Sequence, residues 1–403
     1  MNAKPTGPIP ADYAEQSALQ VAGRTAADWA AAGTPLYLYD VAAVQARIAR
    51  FRAAMPARMA VHYAIKANPF PPLIAAIAPL VDGIDVASAG EMDKALAAMP
   101  ADRISFAGPG KRDVELAAAI RAGVTLNLES EGEADRALAV ANALGLTPCL
   151  AVRVNPDFEL RGSGMKMGGR ASPFGIDAGR VPALVRRLIA AGADWRGFHI
   201  YAGSQALSAD AVIEMQGATI GLAARLADEA GALPPLVNLG GGFGIPYFPG
   251  DVPLDVEAVG AALAGELDRL DTSYAIELGR WLVGEAGIYL ARVIDRKESQ
   301  GETFLVVDGG LNHHLAATGN FGTVVRRNYP VAVAHRMQDP AEEVVTIVGP
   351  LCTPLDRLAD RVALPRAEAG DLIAIFASGA YGATASPQGF LGHPPVYELL
   401  AGV

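Results

Sequence analysis

Eight short apolar runs recur along the first two thirds of the chain, rich in residues that favour strands. They are 61–67 (VHYAIKA), 83–88 (GIDVAS), 104–108 (ISFAG), 125–130 (TLNLES), 149–154 (CLAVRV), 196–203 (RGFHIYAG), 235–240 (PLVNLG) and 273–278 (SYAIEL). Longer Ala-rich stretches with helical character separate most of them, such as 90–98, 112–122, 131–144, 177–191 and 208–230. Eight strand–helix units within about 240 residues predict a closed (β/α)8 TIM barrel, an α/β fold. A doubly wound open sheet would place a glycine loop after its first strand. Here the first strand closes on Lys66-Ala67-Asn68 instead.

Beyond about residue 288 the pattern changes. The runs 287–294, 303–308, 343–348 and 371–376 are strand-like and separated by Gly, Pro and Asp turns. This predicts a separate C-terminal antiparallel β domain, which the extended segment 35–39 would join. The expected division is a barrel over 42–288 and a β-rich domain built from 1–41 and 289–403. An amphipathic stretch around 12–31 has no evident place.

With 403 residues, 51% of them hydrophobic and 19% charged, the chain has ample material for a large core, which excludes a disordered or coiled-coil protein. A net charge of −10 argues against binding nucleic acid through its phosphates. The two cysteines, Cys149 and Cys352, are too few for a disulfide framework and fit a reducing compartment. No signal pattern and no bilayer-length apolar run is seen, so the expected location is the cytoplasm, away from membranes.

Barrels of this kind carry their chemistry at the C-terminal strand ends. A lysine in an apolar strand, Lys66, is either paired structurally to Asp85 or Glu91 or desolvated for Schiff-base chemistry. The loop Gly240-Gly241-Gly242-Phe243-Gly244 is either a tight turn or a phosphate cradle, to which Ser204 and Arg280 would add donors. Glu277 is either an ion-pair partner of Arg280 or the acid that keeps a pyridine nitrogen protonated. Taken together, a Schiff-base lysine, a phosphate cradle and a pyridinium partner specify pyridoxal 5'-phosphate. No metal-ligand spacing is present.

The chain resembles the fold-type III pyridoxal-phosphate-dependent decarboxylases, the family of the diaminopimelate, ornithine and arginine enzymes. The matching stretches are YAIKAN (63–68), GIDVASAGE (83–91), RVNPD (153–157), FGI (174–176), AGSQ (202–205), NLGGGFGIPY (238–247), ELGR (277–280), GPLCTPLD (349–356), SGAYG (378–382) and GHP (392–394), in family order over about residues 36–400. The resemblance implies that Lys66 forms the internal aldimine, with Asp85 and Glu91 beside it. Arg153 would sit near the cofactor's phenolic oxygen, Ser204, the Gly240–Gly242 backbone, Gly279, Arg280 and Tyr381 would hold the phosphate, and Glu277 would bind the pyridine nitrogen. It further implies a homodimer with shared active sites, in which Cys352 and Asp356 come from the partner subunit and Cys352 reprotonates Cα after CO2 leaves. Taken alone, Cys352 also reads as a small buried thiol.

Three departures bear on the substrate. The family's ring-stacking histidine is replaced by Tyr201, with His199 two residues earlier, either near the substrate or satisfied inside the barrel. The acid that follows the cysteine in the diamino-acid enzymes is Thr353. The stretch 308–330 has no arginine before Arg326 and no close match to the arginine–tyrosine spacing that holds a distal carboxylate; it offers Asn312 toward the substrate, and its pair His313-His314 reads as a surface turn. The forms RVNPDFELRGSGMKMGGRASPFGI, FHIYAGSQ and GPLCTPLD are most similar to a subgroup that accompanies exosortase clusters or decarboxylates glutamate tethered to an acyl-carrier protein. Arg161, Met165, Lys166 and Arg170 would then face the carrier or its arm, or form a solvated loop. The expected activity is decarboxylation of an amino acid or carrier-bound aminoacyl group. The alternatives are diaminopimelate decarboxylation with a diverged pocket, a racemase, and an inactive relative that acts as a regulator; Glu277 speaks against the second, and Lys66 with Cys352 against the third.

Overall fold

The computed structural model describes residues 2–158, 165–166, 171–319 and 326–402, with only the backbone of 165–166. The chain divides into two units: Arg47–Gly244 with Pro253–Gly279, and Met1–Ala46 with Ile245–Val252 and Arg280–Val403.

After β1 (Leu36–Asp40), eight strands build the first unit: β2 (Met59–Ala64), β3 (Gly83–Val86), β4 (Ile104–Phe106), β5 (Thr125–Leu128), β6 (Cys149–Asn155), β7 (Asp194–Ile200), β8 (Leu236–Asn238) and β9 (Ser273–Leu278). Each pairs in parallel with its neighbour, and β9 pairs with β2, so the sheet closes into a barrel. All eight runs read from the sequence form this ring. Helices lie between the strands: α1 (Pro71–Ile77), α2 (Ala89–Leu96), α3 (Asp113–Ala122), α4 (Glu131–Leu144), α5 (Val181–Ala190), α6 (Ala209–Ala230) and α7 (Val256–Glu266). Ser88, Ser130 and Ser208 cap α2, α4 and α6, each accepting a backbone N–H three residues on. These caps stop the chain from extending the preceding strand and fix where each strand end delivers its polar residues.

The second unit is a sheet ordered β12 (Val331–Val333), β15 (Leu372–Ile375), β10 (Gly287–Ser299), β11 (Glu302–Val307), β13 (Glu343–Val348) and β14 (Arg357–Leu364), with β1 also paired to β10 and β16 (Tyr397–Ala401) paired to β1. It is mixed rather than wholly antiparallel, because β11–β13 and β1–β16 run parallel. Neither parallel pair could be joined by a hairpin, and their connections are long; turn signals alone do not reveal such partners. The N-terminal stretch finds its place here. Tyr13, Leu19, Val21 and Trp29 pack with Leu36, Leu38, Ile288, Leu290 and Phe376 in one core cluster, and the Trp29 indole N–H donates to the Val21 carbonyl at 3.1 Å.

No helix among the described residues is long and apolar enough to cross a membrane.

Candidate active site

Lys66 lies in the single turn Ile65–Ala67 that ends β2. The turn is fixed from both sides. The Tyr63 hydroxyl donates to the Asn68 carbonyl at 2.7 Å, and the Asn68 side chain accepts the Phe70 N–H at 3.1 Å. Gly279 packs against it so closely that a Cβ there would stand 2.9 Å from the Ala67 methyl. Lys66 Nζ donates to Glu277 Oε1 at 2.9 Å and lies 5.3 Å from the centre of the Tyr201 ring. The ammonium is thus paired with Glu277, the acid on the last barrel strand.

Glu277 is buried, and its carboxylate has a second partner, His199 Nε2 at 2.9 Å from Oε2. Burial by itself would raise this carboxyl, but Lys66 and His199 outweigh it and hold it well below the usual carboxylate range. The site therefore contains a buried anion at neutral pH. Its backbone is fixed as well, since the Glu277 N–H donates to the Gly240 carbonyl at 2.8 Å.

The loop after β8 has the geometry of an anion cradle. Gly240 and Gly242 adopt φ of +67° and +85°, where side chains are strained. A Cβ on Gly241 would fall 1.8 Å from the Glu277 carbonyl oxygen, and one on Gly242 2.7 Å from the Gly203 carbonyl oxygen. The second contact brings the Gly203–Ser204 segment against the loop. The Gly240 N–H is taken by the Asn238 side chain at 2.9 Å. Among the described residues, the N–H groups of Gly241 and Gly242 make no backbone hydrogen bond, although both glycines are buried. Buried N–H groups left open in a glycine loop suit a phosphate. With the lysine and the buried anion, this set fits pyridoxal phosphate.

Two further charge pairs line the barrel. Asp85 faces His62 Nδ1 at 3.3 Å. Burial would lower His62, yet Asp85 prevails and raises it above its ordinary value. Glu91 accepts the Ala87 N–H at 2.8 Å, and its carboxyl is raised by burial. Arg153 Nη1 donates to Glu129 Oε1 at 2.8 Å. Glu129 also accepts the N–H groups of Gly108 at 2.6 Å and Gly175 at 2.8 Å. His62 and Glu129 were not singled out from sequence. Glu129 had a signal, as a polar residue near the end of the fourth strand-like run; His62 had none, being one more residue in an apolar strand.

In the second unit, Arg280 Nη1 donates to the Tyr247 hydroxyl at 3.1 Å, and its guanidinium carbon lies 4.7 Å from the centre of the Tyr381 ring. Tyr381 has φ +55°, uncommon for an aromatic residue. Cys352 is exposed rather than a buried thiol. Thr353 beside it is half-buried, and its hydroxyl accepts the Leu355 N–H at 3.3 Å. Asp356 is buried, and its carboxylate accepts the N–H groups of Leu311 at 2.5 Å and Leu351 at 2.8 Å. It thereby ties the Cys352 loop to the 308–312 turn. Asn312 is fully buried, with Nδ2 3.2 Å from His313 Nε2. The pair His313-His314, expected on a surface turn, is buried at 1% and 0% exposure. His313 Nε2 meets the Pro394 carbonyl and His314 Nε2 the Ser378 hydroxyl, so polar partners inside the unit replace water. Arg161 and Arg170 lie outside the described residues. Of Met165 and Lys166, only the backbone pairing with Gly203–Ser204 is described.

A closed parallel barrel whose strand ends bring together a lysine, a buried carboxylate and a glycine anion cradle defines a class, the barrel enzymes of pyridoxal phosphate. Residues 41–284 match the family model described as pyridoxal-dependent decarboxylase, pyridoxal binding domain. The L-glutamyl-[BtrI acyl-carrier protein] decarboxylase of Niallia circulans is 36% identical over 91% of this chain and 88% of its own. The diaminopimelate decarboxylase of Archaeoglobus fulgidus is 32% identical over 91% and 88%. The crystal structure of diaminopimelate decarboxylase from M. jannaschii with L-lysine superposes with a TM-score of 0.85 at 26% identity, covering 100% of this chain and 94% of that one. The chain belongs to the pyridoxal-dependent decarboxylases and is a pyridoxal-phosphate-dependent carboxy-lyase.

Proposed function

We propose that the chain decarboxylates an amino acid carried as an acyl group on a carrier protein, with glutamate as the first candidate. The observation that carries this reading is Thr353. A distal ammonium needs a carboxylate opposite it, and the residue after Cys352 is a neutral hydroxyl, while Asp356 is engaged by two backbone N–H groups. The Niallia circulans relative, whose name specifies a glutamyl group on a carrier, supports the same reading.

Bound in the barrel, pyridoxal phosphate would supply an aldehyde for the substrate amine and a ring that accepts the electrons left by CO2. Lys66 would hold the cofactor through its amine until a substrate amine takes its place. Glu277, kept anionic by Lys66 and His199, would accept a hydrogen bond from a protonated pyridine nitrogen. In the barrel unit, the Gly241 and Gly242 N–H groups and Ser204 would bind the phosphate, and Arg153, oriented by Glu129, would face the phenolic oxygen. The Tyr201 ring, near Lys66, would cover one face of the cofactor. Cys352 of a second copy would supply its thiol proton to the substrate's α carbon, leaving a thiolate for solvent to reprotonate.

The test is CO2 release by the cofactor-loaded protein with diaminopimelate, ornithine, lysine, arginine, free glutamate and glutamyl-loaded carrier protein. Turnover confined to the loaded carrier is the expected outcome. Rapid turnover of diaminopimelate would overturn it in favour of the second reading, diaminopimelate decarboxylation, which the Archaeoglobus relative favours.

A further inference from the structure

His199 and Glu277 stand on barrel strands that are not neighbours. His199 is in register with Asn238 on β8, and Asn238 with Ala275 on β9. Their 2.9 Å contact therefore spans the barrel interior past a whole strand. His199 is 4% exposed and Glu277 5%. The second ring nitrogen, His199 Nδ1, is also buried and has no hydrogen-bond partner. An Nδ1–H there would be an unsatisfied donor, so the arrangement favours the tautomer with its proton on Nε2, donated to the carboxylate. The bond occupies Glu277 Oε2 and leaves Oε1 on the side of Lys66. The charged and titratable groups that face Glu277 are Lys66 and His62 from the first barrel strand and its end, and His199 from the sixth; Asp85 from the second pairs with His62.

We infer that His199 is a positioning residue for Glu277, donating from Nε2 to orient the carboxylate and keep it anionic, and that it does not contact the substrate. The inference rests on the proposal that Glu277 serves the pyridine nitrogen. It separates His199 from Tyr201, two residues on, whose ring lies beside Lys66. One strand would then supply a cofactor-facing ring and, beneath it, the hydrogen bond that sets the acid.

The experiment compares His199→Phe, which keeps a ring without a donor, with His199→Gln, whose amide N–H can reach a similar point, and uses Glu277→Gln as reference. The readouts are taken without substrate: the cofactor dissociation constant and the pH dependence of the cofactor's absorption spectrum. Loss of a buried hydrogen bond to a charged group predicts about tenfold weaker cofactor binding in His199→Phe, with a shifted spectral titration, and substantial recovery in His199→Gln. A wild-type spectrum and affinity in His199→Phe, with only KM raised, would overturn the inference and make His199 a substrate contact. Equal defects in both variants would overturn it too, leaving a packing role. If His199→Phe does not fold, His199→Ala with His199→Gln carries the same comparison. A change with Glu277→Gln but not with the His199 variants defeats this inference alone; no change with Glu277→Gln defeats the assignment of Glu277 as well.

Discussion

His314 shows how much one buried side chain decides. Its Nε2 lies 2.8 Å from the Ser378 hydroxyl, which itself donates to the Ile375 carbonyl, while Nδ1 accepts the Ala317 N–H. A second ring proton would therefore point at another donor. Burial pushes this histidine down to about 3. In the unfolded chain it returns to about 6.5, so only the unfolded state takes up a proton between these values, and stability falls as pH drops through that window. Above it, both states are neutral and His314 contributes no pH dependence. The slope reaches about 1.4 kcal/mol per pH unit. His314→Gln keeps a donor and cannot titrate. Between about pH 6.5 and pH 5.5 the wild type should lose about 1 kcal/mol more than this variant in denaturant unfolding at equal cofactor loading. Equal losses would mean that His314 is not held neutral.

At the scale of elements, the Gly240–Gly242 loop is shaped by β9 as much as by its own residues. A methyl group on Gly241 cannot occupy a point 1.8 Å from the Glu277 carbonyl oxygen, so Gly241→Ala must displace the loop or the strand. Overpacking of this kind costs about 1–3 kcal/mol. It should also move the N–H groups and weaken cofactor retention. Gly265→Ala, in α7 with nothing within 4 Å of the added carbon, is the control and should be neutral or stabilising by about 0.5–1 kcal/mol. Unfolding midpoints and cofactor titration of the two variants check this, and equal behaviour would refute the steric argument. Elements also mark where sequence reading works. The eight barrel strands were legible because each is a short apolar run and a helical stretch follows most of them, a local pattern. The β unit was legible only in part. Val331–Val333, Arg357–Leu364 and Tyr397–Ala401 were missed, since their partners lie far along the chain. Lys66, Ser204, the glycine loop, Glu277 and Arg280 could be read from residue type and position, whereas Arg153, Tyr381 and Cys352 entered only through the family resemblance. Which residues meet could not be read, because the Lys66–Glu277, Asp85–His62 and His199–Glu277 pairs depend on how the barrel closes.

At the scale of the whole molecule, the proposed chemistry divides between the two units. Lys66 belongs to the barrel unit and Cys352 to the β unit. Cys352 is exposed, on a loop held from below by Asp356, as suits a group that serves a second copy. If barrel and thiol come from different copies, a chain lacking Lys66 and a chain lacking Cys352 complement each other. Each variant alone has two defective sites per dimer. Random pairing of equal amounts makes half the dimers mixed, and each mixed dimer has one site with both residues, so about a quarter of wild-type turnover should return. Lys66→Ala and Cys352→Ala, coexpressed with different tags and compared with the separate proteins, supply the test. If both residues serve the same chain, mixing restores nothing, because neither variant contributes a complete site. Recovery near a quarter, confined to the doubly tagged fraction, would establish two copies as the working unit; no recovery in a confirmed mixed dimer would remove Cys352 of the second copy as the proton donor.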